Sequence, residues 1–218
     1  MAERFDLLIF DWDGTLCDST ALITQSIQVA FEAAGLPVPT REKASFVIGY
    51  GLAEAMRYLA PTATHEQVEA VLEAYKAHYL ARDGDVVLFD GVTEALIRYK
   101  EAGFLLAVAT GKSRRGLDRA LANTGLAALF DTSRCADECH SKPHPQMIEE
   151  ITDVLGVPTG RGVMIGDTTH DLQMAANAGM GALGVSYGAH PKHELAALSP
   201  IGLFDSFAEL DAWVSRHG

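Results

Sequence analysis

The chain opens on a four-residue apolar run, Leu7-Leu8-Ile9-Phe10, that stops at Asp11-Trp12-Asp13-Gly14-Thr15-Leu16. So short a run, bounded by polar residues, predicts a buried strand that releases into a turn. The apolar period then changes. Leu22, Ile23, Ile27, Ala30, Phe31 and Ala34 recur at helical spacing and predict a helix over about 20–34, capped by Asp18 or Ser19 and stopped by Gly35 and Pro37. A short helical patch with Phe46, Val47 and Ile48 leads into Gly49-Tyr50-Gly51, and a helix over Leu52–Leu59 ends at Pro61. Thr64 with Gln67 matches a capping box and opens a long helix over about 65–82. From Cys17 to Asp85 the pattern gives helices and no convincing strand.

Further on, apolar runs and amphipathic stretches alternate. Helices are expected over 92–102, 114–124, 145–155, 171–178 and 207–214. Strands are expected over 104–109, around 130–133, and over 162–165, 182–185 and 201–204. Such alternation predicts an α/β fold: a doubly wound parallel sheet, Rossmann-like, covered on both faces. The helical stretch interrupts it just after the first strand. The expected organisation is a core of residues 1–16 and 86–218 with an inserted helical cap of residues 17–85, about 70 residues long. A connection of that length inside a compact domain is usually functional, often a lid.

Composition narrows the options. With 218 residues, 48% of them hydrophobic, the chain can bury a sizeable core. No apolar run approaches the roughly 20 residues needed to span a bilayer, so no membrane partner is expected. Met1-Ala2-Glu3-Arg4-Phe5-Asp6 lacks the basic-then-apolar pattern of a secretory leader. Three cysteines fit a reducing cytoplasm better than a disulfide framework. The net charge of −12 is the opposite of a polyanion binder's and argues against nucleic acid as partner. An anionic substrate would need a local cation, a metal or backbone N–H groups.

Three strand ends carry polar signals, and in open parallel sheets ligands bind beyond those ends. The first releases Asp11 and Asp13, the next Thr110, and a later one Asp167 with Asp171 four residues on. Lys142 stands between them in sequence, fixed beside Pro143. Two carboxylates two residues apart suit a nucleophile beside a general acid/base around a divalent cation. Four ionised aspartates, a divalent cation and Lys142 leave the site at about −1, so an anion approaches most easily if one Asp is protonated. An all-oxygen set with no converging His or Cys favours Mg²⁺.

Asp11-Trp12-Asp13-Gly14-Thr15-Leu16, Thr110-Gly111, Lys142-Pro143 and Gly166-Asp167-Thr168-Thr169-His170-Asp171 resemble, in order, the four motifs of the haloacid dehalogenase-like hydrolases. The insertion after the first motif resembles the small cap of the phosphoglycolate phosphatase-like branch. The resemblance implies that Asp11 attacks phosphorus to form an aspartyl-phosphate. Asp13 then serves as acid and base, and Thr110, Gly111 and Lys142 hold the phosphoryl oxygens. It implies that Mg²⁺ is ligated by Asp11, the backbone carbonyl of Asp13 and Asp167, with Asp171 among the ligands or just outside them. Trp12 departs from the smaller apolar residue usual at its position and is expected to point into the core.

The resemblance implies a cytoplasmic, Mg²⁺-dependent phosphatase of a small phosphorylated metabolite, monomer or homodimer, with phosphoglycolate the first candidate substrate. Alternatives are a phosphomutase or pyrophosphatase on the same machinery, or a non-catalytic phosphate-binding or signalling module. Gly51-Leu52 stands where the sugar-phosphate mutases of the branch usually carry Ser-Arg, which lowers the mutase reading. Tyr50, Gly51 and Arg57 are the cap candidates for substrate contact. Cys135, Cys139 and His140 invite a zinc reading, but their spacing lacks a second ligand pair. His170 is expected to support the acidic loop or lie at the surface.

Overall fold

The structure, a computed structural model, describes residues 5–217. Most of the N-terminal segment read for a leader, residues 1–4, lies outside the described residues. Six strands form one sheet: β1 (Leu7–Phe10), β2 (Leu105–Thr110), β3 (Thr132–Cys135), β4 (Gly162–Gly166), β5 (Gly181–Val185) and β6 (Gly202–Phe204). Their order is β3-β2-β1-β4-β5-β6 and every neighbouring pair is parallel. The chain steps outward from β1 to β3, then returns to the other side of β1 for β4. That reversal makes the β1/β4 boundary the place where such sheets open a crevice. Phe10, the last residue of β1, pairs with Val108 and Ile165.

All four side chains of β1 are fully buried, which is why the run shows no alternation. Leu8 and Phe10 face one core and Leu7 and Ile9 the other. Full burial of a side chain of this size stabilises by about 1.5–3 kcal/mol, and this anchors the strand end that carries Asp11.

Between β1 and β2 come α1 (Thr20–Ala33), α2 (Arg41–Phe46), α3 (Leu52–Leu59) and α4 (His65–Leu80), followed by α5 (Val92–Glu101). The remaining helices are α6 (Arg114–Thr124), α7 (Gln146–Leu155), α8 (Thr169–Asn177), α9 (Lys192–Ala197) and α10 (Phe207–His217). α5, α6 and α10 cover the Phe10 face of the sheet, and α7, α8 and α9 cover the Ile9 face. The first four helices bury a cluster of their own, including Ile27 and Phe31 from α1, Met56 from α3 and Val71 from α4. The chain leaves the sheet and returns to it side by side: Asp18 N donates to Val87 O (2.9 Å) and Phe89 N to Leu16 O (3.0 Å).

Several details differ from the pattern reading. α2 starts where Thr40 caps it by accepting from Lys43 N, and it ends at Phe46, so Val47 and Ile48 lie past its end. β3 starts two residues later than expected. Cys17 forms isolated β-bridges with Asp13 and Leu88, pairing too brief to leave a periodicity. α8 begins at Thr169 instead of Asp171, because Thr168 is the cap and Asp171 closes the capping box from inside the helix. α9 has only one buried apolar residue, Leu195, and so no readable stripe. No helix among the described residues is long and apolar enough to cross a membrane.

Candidate active site

Asp11 directly follows β1, and its N–H donates to Ile165 O (2.9 Å), extending the ladder by one bond. Trp12 is buried against the Phe10 face, edge-on to Phe130. Gly14 then turns the chain at φ +81°, where a Cβ would lie 2.2 Å from Asp167 Oδ2. A side chain there would be strained and would also collide with the carboxylate opposite.

Asp11, Asp167 and Asp171 are buried and each brings a carboxylate oxygen within 4.8 Å of the others. Lys142, also fully buried, reaches Asp11 Oδ1 (2.9 Å) and Asp171 Oδ1 (2.6 Å). Asp171 Oδ2 accepts from Thr168 N (3.0 Å) and Thr168 Oγ1 (2.7 Å). Asp167 accepts from Thr15 Oγ1 (2.8 Å) and Ala189 N (2.7 Å). One lysine cannot neutralise three carboxylates, and the titration behaviour reflects it. Burial pushes Asp11 up to about 7; Lys142 pulls it back, while Asp171 and Asp13 push it further. Burial, then the charges of Asp11 and Asp171, holds Asp167 well above the usual carboxylate range. Burial alone would lower Lys142, but Asp11 and Asp171 outweigh it and hold the ammonium above an ordinary lysine. Asp11 Oδ2 is buried and, among the described residues, accepts no hydrogen bond. A bare buried acceptor in an all-oxygen, acid-rich cluster fits a hard divalent cation.

The side chain of Asp13 stands apart from this triad. Its Oδ1 accepts from Ser19 Oγ (2.7 Å) and pairs with Lys112 Nζ (3.0 Å). Lys112 also donates to Tyr79 Oη of α4 (3.0 Å) and lies over the Tyr79 ring. Burial works against the Lys112 charge, yet Asp13 and Tyr79 hold it above an ordinary lysine. Lys112 did not stand out in the sequence, and Ser19 stood out only as a candidate helix cap. Ser19 is the N-cap residue of α1, but its hydroxyl serves Asp13 instead of the helix.

Thr110 is buried at the end of β2, and its Oγ1 accepts from Lys112 N (3.2 Å). It does not cap the next helix; Ser113 does, accepting from Gly116 N (3.2 Å). Gly111 lies directly beneath the cap, where a Cβ would meet Tyr50 O at 2.6 Å and Gly49 O at 2.7 Å. Gly51 N donates to Ser141 Oγ, one residue before Lys142 (2.9 Å). Tyr50 stacks on His170, with ring centroids 4.1 Å apart. Arg57 is exposed and lines the cavity between cap and core, which Asp11 and Asp13 also line.

His170 is buried, contrary to a surface reading. Its Nε2 donates to Phe46 O (2.8 Å) at the end of α2, and His190 Nε2 donates to the same oxygen (3.0 Å). His190 Nδ1 accepts from Thr169 N (3.0 Å), which defines a neutral imidazole. Burial lowers both histidines, His170 to about 4. Cys135 packs on the Phe10 face and Cys139 against the opposite core, while the rings of His140 and His144 lie together.

The model of the haloacid dehalogenase-like hydrolases matches residues 8–185, spanning β1 to β5. "Probable phosphatase IndB" of Dickeya dadantii is 36% identical over 94% of this chain and 91% of its own length. "Pyrophosphatase PpaX" of Halalkalibacterium halodurans is 30% identical over 95% of each chain. A "Phosphoglycolate phosphatase" of Agrobacterium fabrum is 29% identical over 94% of this chain and 90% of its own. The crystal structure of a hydrolase from Pseudomonas syringae superposes with a TM-score of 0.88 over 98% of both chains; at 20% identity it speaks for the fold alone. Sequence match, sheet order and inserted helices agree: the chain belongs to the haloacid dehalogenase-like hydrolase family, in its phosphoglycolate phosphatase-like branch.

Proposed function

We propose that this phosphoric monoester hydrolase releases inorganic phosphate from a small phosphomonoester through an aspartyl-phosphate on Asp11, with phosphoglycolate the first substrate to test. The observation that supports it most is the buried constellation of Asp11, Lys142, Asp167 and Asp171, with Asp13 two residues from the nucleophile on a rigid strand end. A carboxylate oxygen of Asp11 attacks phosphorus and the bond to the leaving oxygen breaks, that oxygen taking a proton from Asp13. Asp13 then takes a proton from water as the water oxygen attacks the acyl phosphate, and the Asp11–phosphorus bond breaks. Splitting the displacement makes each step easier. Lys142 and Thr110 hold the phosphoryl oxygens, with Gly111 giving them room.

Asp11, Asp167 and Asp171, with the backbone carbonyl of Asp13, are the residues that would hold Mg²⁺. The ion would supply positive charge against the phosphoryl oxygens. Together with Lys112 and Lys142 it would balance the four carboxylates if all were ionised, and with Asp13 holding the proton it gives to the leaving oxygen the site would stand at about +1, which favours an anion. Residues 17–85 act as the cap that excludes water, and Tyr50, Gly51 and Arg57 contribute to substrate choice. The protein acts in the cytoplasm. Likeness to PpaX makes inorganic pyrophosphate the second substrate to test.

The test is phosphate release from 4-nitrophenyl phosphate, phosphoglycolate and pyrophosphate in Mg²⁺. The expected result is turnover that Asp11→Asn lowers by at least about 10³-fold. An Asp11→Asn protein as active as the wild type would sink the proposal.

A further inference from the structure

The cavity between cap and core has a volume of about 830 Å³. That is the size of a pocket for a drug-sized ligand, whereas glycolate or a second phosphate would leave most of it to water. Its cap wall is apolar and aromatic, with Leu52, Tyr75 and Tyr79 among the lining side chains. Five cationic side chains also line it: Arg57, Lys76, Lys112, Arg115 and Arg119. Three are already committed, Lys76 to Glu73, Lys112 to Asp13 and Arg119 to Asp83. Arg57 on α3 and Arg115 on α6 are exposed and, among the described residues, pair with no acidic side chain. Glu54, one turn before Arg57, makes no ion pair with it. In a chain of net charge −12, two guanidiniums without a carboxylate partner, one on a cap helix and one on a core helix lining the same cavity, are available to an incoming anion.

Resting on the phosphatase reading of the same site, we propose that the preferred substrate carries a bulky leaving group with a second anionic substituent. Arg115 from the core and Arg57 from the cap receive that anion, which is a carboxylate or a second phosphate. The scissile phosphate lies over Asp11, the body of the leaving group lies against the tyrosine-lined wall, and the distal anion lies between the two guanidiniums. Arg115 is therefore a specificity residue that takes no part in bond breaking, and the cap supplies half of the recognition.

Matched pairs of probes test this. Phenyl phosphate is compared with 4-carboxyphenyl phosphate, and a hexose 6-phosphate with the hexose 1,6-bisphosphate; phosphoglycolate sets the small-substrate reference. The wild type is expected to favour the doubly anionic member of at least one pair by about tenfold in kcat/KM, carried by KM, and to favour it over phosphoglycolate. Which pair shows the effect tells carboxylate from phosphate. Arg115→Met should bring that ratio close to one, and Arg115→Lys should restore part of it. Equal kcat/KM within both pairs, a ratio that survives Arg115→Met together with Arg57→Met, or phosphoglycolate as the best substrate would each overturn the proposal. Calorimetric binding of the same pairs to Asp11→Asn protein separates the two levels. Discrimination in binding without turnover in the wild type would count against the phosphatase reading and not against this anion site. Turnover without discrimination would do the reverse.

Discussion

Gly111→Ala is the sharpest probe of how the cap is seated. The added Cβ would lie 2.6 Å from Tyr50 O, 2.7 Å from Gly49 O and 2.9 Å from the Gly49 carbonyl carbon. Ordinary contact begins near 3.4 Å, so the cap turn must retreat by about 0.8 Å. The obstructing atoms are all backbone, so no side chain can swing away to relieve the clash. Gly111 does not have a positive φ, so alanine suits the local chain and the effect isolates the contact. Overpacking of this kind costs about 1–3 kcal/mol, or about 2–12 °C in Tm for a domain of this size. A catalytic constellation opened by nearly 1 Å loses on the order of 10²-fold in rate. The assay is kcat/KM on 4-nitrophenyl phosphate beside a thermal melt, with Gly160→Ala as control because a Cβ there meets nothing within 4 Å. Wild-type kcat/KM and Tm in Gly111→Ala would refute the claim that the cap turn rests on this glycine.

Other expectations follow from the charges. Lys142→Met leaves Asp11 and Asp171 buried without their cation and should cost about 3–5 kcal/mol, read from denaturant melts; a loss under 1 kcal/mol contradicts the pairing. Because Asp11 and Asp167 are raised, the metal-free folded state keeps protons that the unfolded chain releases, so stability should fall as pH rises from about 4 to about 7. Millimolar Mg²⁺ should then raise Tm more at about pH 8 than at about pH 5, and an equal or reversed effect argues against metal binding at these carboxylates. Tyr79→Phe keeps the ring over Lys112 but removes the oxygen that accepts from it, so stability should drop by about 0.5–1.5 kcal/mol; an unchanged melt would show that this bond contributes nothing.

What the sequence disclosed depended on whether the signal was local. The strand-end carboxylates were readable because a fully apolar strand stops abruptly at each, and Thr64 with Gln67 forms the capping box that its spacing announces. The structure brings Asp11, Lys142, Asp167 and Asp171 together, as the strand ends of a parallel sheet should. Lys112 was hidden because what marks it is tertiary: Tyr79 on a cap helix and Asp13 beyond the far end of the insertion. Ser19 looked like a helix cap and serves a carboxylate. His170 looked like a polar loop residue, yet its main partner is a carbonyl 124 positions away. Arg115 has no signature in sequence at all, since its interest lies in having no acidic partner among the described residues.

Ala189 holds more than Asp167, because its peptide groups bond in two directions. Its N–H holds Asp167 Oδ2 (2.7 Å), while its carbonyl accepts from Ser45 Oγ of α2 (2.9 Å). The next residue, His190, grips Phe46 O. A single short segment is thus a mechanical joint between the inserted helices and one of the clustered carboxylates. Moving α2 strains the orientation of Asp167, and fixing Asp167 resists the movement of α2. By thermodynamic linkage, any ligand that draws the helices down tightens the hold on a cation at Asp167 by the same factor that the cation favours the drawn-down state.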